Sequence, residues 1–312
     1  MRLFLPGGAG LVGLNLISQL RARHPDWQLL VVDKKAAAVE AGRRLFPEVS
    51  FVLEDLCVSE ANRWPELIKD CDACVMLQAE IGNTDPSQFE RNNILSTRVV
   101  LDQLQATSIR HLVHISSSVV NSVSTDLYTT SKRRQEQIVR QAWPEAVILR
   151  PTLMFGWFDR KHLGWLARFL RKSPVFPIPG SGRFTRQPLF VQDFCSVILS
   201  CLENPDLSGC YDITGLERIS YLSLMRELRR SVKSRGLFIH LPIPLFGFLL
   251  QLWALISRQP AFTRSQLQAL TAGDEFDVID WPTIFAVSPT PLSDALRISY
   301  NDPRYASVEI PF

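Results

Sequence analysis

The chain is short of several things, and each shortage removes a class of function. Histidine is scarce, five scattered among 312 residues with no HxxxH pair, so no zinc site is expected. An excess of one charge is missing too. Against 34 Lys and Arg stand 31 Asp and Glu, a net charge of +3. No basic run carries interleaved aromatics, so nucleic acid is not an expected partner. Cysteine is sparse, with six residues at positions 57, 71, 74, 195, 201 and 210. Cys71 and Cys74 form a CxxC, but no second CxxC completes a metal site. Cys74 also opens "ACVML", which reads as a buried strand. Free structural thiols are expected, as in a reducing cytoplasm. A secretory leader is not expected, because "MRLFLPGGAG" enters its first strand at once.

A long apolar run is also lacking. The nearest is "LFIHLPIPLFGFLLQLWALIS", residues 237–257. Pro242, Pro244 and Gln251 interrupt it, and its helical part falls short of the about 20 residues that a bilayer span takes. The segment before it carries Arg226, Arg229, Arg230, Lys233 and Arg235. A basic helix beside an apolar one can lie on a membrane surface. The other reading is a lobe packed on itself or on a partner subunit, such as a homodimer. Location is expected to be cytoplasmic, with peripheral contact at the inner face of a membrane as the variant.

What is present is a strong alternation. "RLFLPG", "WQLLVVD", "VSFVLEDL", "ACVMLQA", "HLVHISSS" and "AVILRP" read as strands, each followed by or following an amphipathic helical stretch. Nearly continuous apolar strands alternating with helices mean a parallel sheet covered on both faces. The expected fold is a doubly wound α/β (Rossmann) domain over 1–152, with 187–214 returning to it. Residues 153–312 are expected to form mainly a smaller substrate-binding lobe.

"PGGAGLVG" joins the first strand to the first helix. Gly7, Gly10 and Gly13 give a tight turn, close backbone approach to a pyrophosphate, and close helix–strand packing. The helix start presents unpaired N–H groups to the anion. The second strand ends at Asp33, twenty residues past Gly13. A carboxylate there accepts hydrogen bonds from ribose hydroxyls and repels a 2′-phosphate, which favours NAD over NADP. Lys34 and Lys35 soften that preference. Asp55 reads either as a contact to the adenine edge or as a strand-end turn residue.

These residues resemble the extended short-chain dehydrogenase/reductases, the NAD-dependent epimerase/dehydratase family. The carrying pieces are "GGAGLVG", "VVD", "LEDL", "VMLQA", "NNILST", "VHISSS", "YTTSK", "LRPTLMFG" and "RQPLFVQDF", in the family's order over about the first two-thirds of the chain. The resemblance implies bound NAD and a small-molecule substrate, commonly a nucleotide sugar as in polysaccharide biosynthesis. It implies a catalytic Ser118, Tyr128 and Lys132, with Ser117 as the alternative serine and a substrate contact. Leu11, Val12, Leu56, Leu77, Ala79, Asn93 and Pro151 match positions near the cofactor. Arg186 matches an arginine that grips a substrate diphosphate. Tyr128 and Lys132 are i and i+4 on one helix face. A neighbouring ammonium would favour the phenolate and bring Tyr128 towards use as a base.

Departures from the pattern narrow the reaction. Sugar dehydratases of this family carry Asp-Glu after the active-site residue, and related decarboxylases a glutamate. Here Val119, Val120 and Asn121 follow Ser118, so elimination and decarboxylation are disfavoured. The family's "HLAA" is "LQAEIG", with Gln78 and Glu80, which leaves the sugar assignment open. The tail, with "LPIPLFGFLLQLWAL" and "PAFTRSQLQAL", is similar to those of 3β-hydroxysteroid dehydrogenases and of the accessory complex I subunit of the superfamily. "PAFTRSQLQAL" by itself reads as a packing helix. Trp157 to His162 reads either as substrate-cleft lining or as lobe packing. The expectation is a nucleotide-sugar epimerase-type enzyme. A dehydrogenase or reductase of a lipid- or sterol-like alcohol and a non-catalytic NAD(P)-binding scaffold stand as alternatives.

Overall fold

A computed structural model describes residues 1–256, 267, 270–271 and 276–310. Its centre is a seven-stranded parallel sheet. In chain order the first half runs β1 (Arg2–Pro6), α1 (Leu11–Arg23), β2 (Gln28–Asp33), α2 (Ala36–Leu45), β3 (Ser50–Leu53), α3 (Trp64–Leu67) and β4 (Ala73–Met76). It continues with α4 (Pro86–Phe89), a π-helical segment (Glu90–Leu95), α5 (Ser96–Gln105), β5 (His111–Ile115), α6 (Leu127–Ala142) and β6 (Val147–Pro151). The remainder contributes β7 (Met154–Phe155), α7 (Leu163–Lys172), β8 (Val175–Pro179), β9 (Thr185–Arg186), β10 (Leu189–Phe190), α8 (Val191–Glu203) and β11 (Gly209–Ile213). Then come β12 (Ile219–Ser220), α9 (Tyr221–Ser231), β13 (Leu237–Leu241), α10 (Ile243–Ile256) and two helices, Trp281–Ile284 and Leu292–Asn301.

The sheet order is β11-β6-β5-β4-β1-β2-β3. Successive side chains of a strand point to opposite faces, and both faces here are apolar. Leu3 and Leu5 of β1 pack with Leu14, Ile17, Phe194 and Ile198 of α1 and α8. Phe4 joins Trp64, Val100, Leu104 and Val139 on the other face. This double burial is why the strands read as unbroken apolar runs. Each fully buried Leu, Val or Phe contributes roughly 1.5–3 kcal/mol.

The chain leaves the sheet after Pro151 and returns at Gly209, where β11 pairs in register with β6 from Gly209↔Val147 to Ile213↔Pro151. The excursion, with α9 and the helix Leu292–Asn301, builds a third apolar cluster around Phe176, Leu224, Met225 and Leu296.

Several local expectations change. "ANRWPELIKD" gives only the one-turn helix α3. The helical stretch after β4 runs from α4 to α5 through the π-helical segment. The stretch 260–270 lies outside the described residues except for Leu267, which is buried, and Leu270, which packs against the third cluster. The six cysteines are free thiols. Burial pushes Cys71 up to about 11 and Cys74 well above the ordinary thiol range, so both are inert packing residues.

Candidate active site

A cleft of about 540 Å³ opens at the carboxyl ends of the strands. It lies over β1 and β4, where the strand order reverses, the place at which open α/β sheets bind ligands. Its floor is the glycine loop. Gly7 sits at φ 75°, and a Cβ there would lie 2.5 Å from the Gln78 Cα. A Cβ on Gly13 would lie 2.1 Å from the Gly8 carbonyl oxygen, so only glycine lets α1 seat against the loop. Around Gly10 the nearest such atom is the Gly7 carbonyl at 3.8 Å, which leaves its backbone open to a ligand. No side chain caps the N-terminus of α1, and Leu11 and Val12 complete this wall. A backbone cradle at a helix N-terminus fits a diphosphate.

Asp33 lies at the cleft edge. It accepts hydrogen bonds from the Ala9 N–H (3.4 Å) and the Lys35 N–H (3.1 Å). Burial pushes its carboxyl up, opposed by those N–H groups and by the Lys35 charge. Asp55 and Leu56 line the cleft, but the Asp55 carboxylate is engaged. It accepts from the Cys57 N–H (2.9 Å) and pairs with Arg91 (2.8 Å). Against the cost of burial, these contacts hold it below the usual range. Leu77, Gln78, Ala79 and Pro151 also line the cleft. Gln78 is 8% exposed, and neither its Oε1 nor its Nε2 has a partner among the described residues. Such a buried, unclaimed amide beside the glycine loop is what a polar ligand would satisfy.

Asn93 is not a lining residue. It is fully buried behind the wall, where its Oδ1 accepts from the Glu80 N–H (2.6 Å) and its Nδ2 donates to Ser131 Oγ (2.8 Å). Ser131 Oγ in turn donates to the Tyr128 carbonyl (2.8 Å). Its neighbour Asn92 reaches the cleft instead. The π-helical turn, with one extra residue per turn, changes which side chains share a face.

β5 ends in the serine run, and α6 begins at Leu127 with Asp126 as its cap, accepting from the Thr129 N–H at 2.9 Å. Tyr128 therefore stands on the first turn, opposite the serines. Of the three serines, Ser117 is the one whose hydroxyl acts on the Tyr128 phenol, pulling its pKa down against burial. Ser118, the first expectation, also lines the cleft, and it opens a short 3₁₀ turn with Ser117 as its cap. Lys132 also departs from the expected pairing. Its Nζ is fully buried and donates to the Ile115 carbonyl (3.0 Å) and to Gln135 Oε1 (2.5 Å). The influences on the Tyr128 phenol are burial and the Asp126 charge, which raise it, and the Ser117 hydrogen bond, which lowers it. Its pKa is raised, not lowered as the i, i+4 spacing suggested. Lys132 is pushed by burial down to about 7, partly offset by the charge of Glu136.

Beneath the serines lies a group that sequence reasoning missed. Glu136 accepts from Ser116 Oγ (2.8 Å) and from two nitrogens of Arg150 (3.0 and 2.5 Å). A bidentate pair of this kind fixes geometry. The sequence signal was available, since Glu136 and Tyr128 lie eight residues apart on one helix face.

Cationic and apolar side chains complete the lining. Arg186 of β9, Arg160, Lys161 and His162 stand in it with Val119, Leu153 and Met154. Burial lowers the His162 pKa, reinforced by Lys161 and Arg186 and opposed by Asp159. Asp159 ties the turn, accepting from the N–H groups of Lys161, His162 and Gly164. Trp157 is outside the lining and packs internally, its Nε1 donating to the Ile298 carbonyl (3.0 Å). Phe276 lines the cleft from the tail, and nothing in the sequence pointed to it.

The chain resembles several known proteins. It is 27% identical over 210 residues to NADH dehydrogenase [ubiquinone] 1 alpha subcomplex subunit 9 of Mus musculus, covering 65% of this chain and 54% of that one. The chain thus spans about half the length of that relative. It is 25% identical over 262 residues to a ceramide reductase of Caulobacter vibrioides, covering 82% and 80%. It is 31% identical over 262 residues to a dTDP-glucose 4,6-dehydratase of Mycobacterium tuberculosis, covering 74% and 77%. Among solved structures, UDP-glucuronic acid 4-epimerase from Bacillus cereus in complex with NAD matches with a TM-score of 0.74 at 19% identity, covering 96% and 98%. The fold is shared across that whole length. The family model for NAD dependent epimerase/dehydratase proteins matches residues 3–214, the stretch from β1 through β11. By that match, the chain belongs to the NAD-dependent epimerase/dehydratase family.

Proposed function

We propose that the cleft binds NAD and reversibly oxidises a secondary hydroxyl of an anionic substrate, as in a nucleotide-sugar epimerase. The observation that carries this reading is one cleft lined both by the glycine loop and by Ser117 and Tyr128. Gly7, Gly10 and Gly13 would hold the diphosphate and Asp33 the adenosine ribose, while Lys132 stays buried behind the cleft wall. Asp33 favours NAD over NADP through repulsion of a 2′-phosphate. NAD, when bound, supplies the hydride acceptor and the donor for the return step. The chain's own part is the proton. Tyr128 Oη takes it as hydroxyl becomes ketone and returns it as ketone becomes hydroxyl. Ser117 donates a hydrogen bond to the same oxygen. Arg186 in the cleft lining suits a diphosphate or another anionic group. Elimination would need a further acid–base group, and Val119, Val120 and Asn121 supply none.

A second reading, a net reductase or dehydrogenase of a lipid-like ketone or alcohol, is favoured by the ceramide reductase relative and by the apolar Leu153 and Met154 of the cleft. Denaturing the purified protein and identifying released small molecules by mass spectrometry separates the two. Near-stoichiometric retained NAD, with isomer formed from UDP-, GDP- or dTDP-sugars and no added cofactor, is expected of the epimerase. Reversible NAD binding with stoichiometric NADH change marks the second reading. Failure to bind either NAD or NADP overturns both.

A further inference from the structure

α10 presents an apolar face that the described residues leave uncovered. Leu245, Phe248, Leu249 and Leu252 are all exposed, Phe248 at 54%. They fall at i, i+3, i+4 and i+7, a single stripe on the helix. On the opposite side Gly247 is buried, and a Cβ there would lie 3.7 Å from Leu267. The strand just before it extends the same surface. β13 leaves Leu237 67% and Ile239 46% exposed, and its neighbour Val175 on β8 is exposed as well. Single exposed leucines need no explanation, but an exposed stripe on a helix beside an exposed strand marks an interaction surface.

The charge around the patch selects the partner. Arg171 and Lys172 end α7, and Lys233 and Arg235 precede β13; all four are exposed. The two segments abut, with Ser234 Oγ donating to the Leu170 carbonyl (2.5 Å) and the Leu237 N–H to the Pro174 carbonyl (2.8 Å). None of the four cations forms an ion pair among the described residues, although Arg171 Nη2 donates to the Tyr300 carbonyl (2.9 Å). From Leu228 to Gly273 the sequence contains no Asp or Glu. Another copy of that segment would therefore bring like charge and no carboxylate of its own. A bilayer with anionic headgroups offers both an apolar interior for the stripe and negative charge for its flank. With no described helix able to span, the contact is one that lies in the interface.

We propose that this face docks on an anionic phospholipid surface, with Phe248 and Leu249 entering the acyl boundary and Arg171, Lys172, Lys233 and Arg235 meeting headgroups. The inference is independent of which reaction the cleft carries. The test is co-sedimentation of the full chain with phosphatidylcholine vesicles, with and without phosphatidylglycerol. Binding is expected only with phosphatidylglycerol, and is expected to weaken with salt. Lys233→Gln/Arg235→Gln should lower the partition on the order of thirtyfold, and Phe248→Ser/Leu249→Ser should abolish it. NAD affinity, measured in parallel, should not change in either variant, which separates loss of the surface from loss of the fold or of the cofactor site. Absence of vesicle binding overturns the proposal. So does binding that ignores phosphatidylglycerol, or a solution dimer by light scattering that Phe248→Ser dissolves.

Discussion

Three adjacent serines place one hydroxyl against Tyr128, and which one is a matter of phase. Ser117→Ala should cost about 10²- to 10³-fold in kcat, the scale of one lost donor to a reacting oxygen. Ser118→Ala should cost far less, and steady-state kinetics of the two variants compares them directly. Tyr128→Phe should lose about 10²- to 10⁴-fold while NAD still binds, as read by calorimetry. Lys132 makes a prediction about stability. Its folded pKa lies near 7, below the ordinary 10.5, so between those values the unfolded chain binds the extra proton. Stability then rises with pH across that window, and the cost of burying the ammonium is greatest at and below pH 7. The stability gained by Lys132→Met over the parent should therefore shrink as urea unfolding is repeated from pH 7 to pH 10. The Tyr–Lys spacing was legible in the sequence. The serine was not, because three identical side chains give no phase and only the end of β5 sets it. Nor was the direction of Lys132 Nζ, which depends on Ile115 and Gln135 rather than on helix spacing.

At the scale of elements, the glycine loop was legible because each glycine answers a steric demand. Gly13→Ala would drive a Cβ into Gly8, and backbone on both sides leaves nothing flexible to give way. A loss of about 1–3 kcal/mol or more, together with loss of retained NAD, is expected by thermal unfolding and cofactor analysis. The π-helical segment was not legible, since no pattern in "ERNNIL" announces an extra residue in a turn. Its consequence is that Asn93 serves Tyr128 at one remove, through Ser131. Asn93→Ala would leave the buried Glu80 N–H without its acceptor, at about 1–3 kcal/mol. A positioning role predicts that kcat falls more than the affinity for NAD, and Asn93→Asp, which keeps the acceptor, should recover part of the stability. Trp157 shows the opposite limit. An aromatic beside a predicted cleft reads equally as lining or as packing, and its bond to Ile298, far along the chain, is a tertiary fact.

On the scale of the whole molecule, buried polar contacts join the sheet layer to the segments that come after Pro151. Asn15 of α1 donates to the Trp157 carbonyl (2.8 Å) and accepts from Gln192 Nε2 (2.6 Å). The parallel sheet was legible from its doubly apolar strands. This junction was not, because a lone Asn in an apolar helix gives no clue to partners more than a hundred residues away. The return of β11 to the edge of β6 has a consequence during synthesis. When Pro151 has been made, β6 presents an open row of backbone N–H and C=O groups, and its neighbour is still some 58 residues away. At roughly 5–20 residues per second, that edge waits on the order of 3–12 s. An unpaired edge is a template for any passing strand. Nascent chains of this protein are thus most vulnerable to aggregation while the excursion from 152 to 208 is being translated, and a chaperone that shields β6 would matter then and hardly at all afterwards.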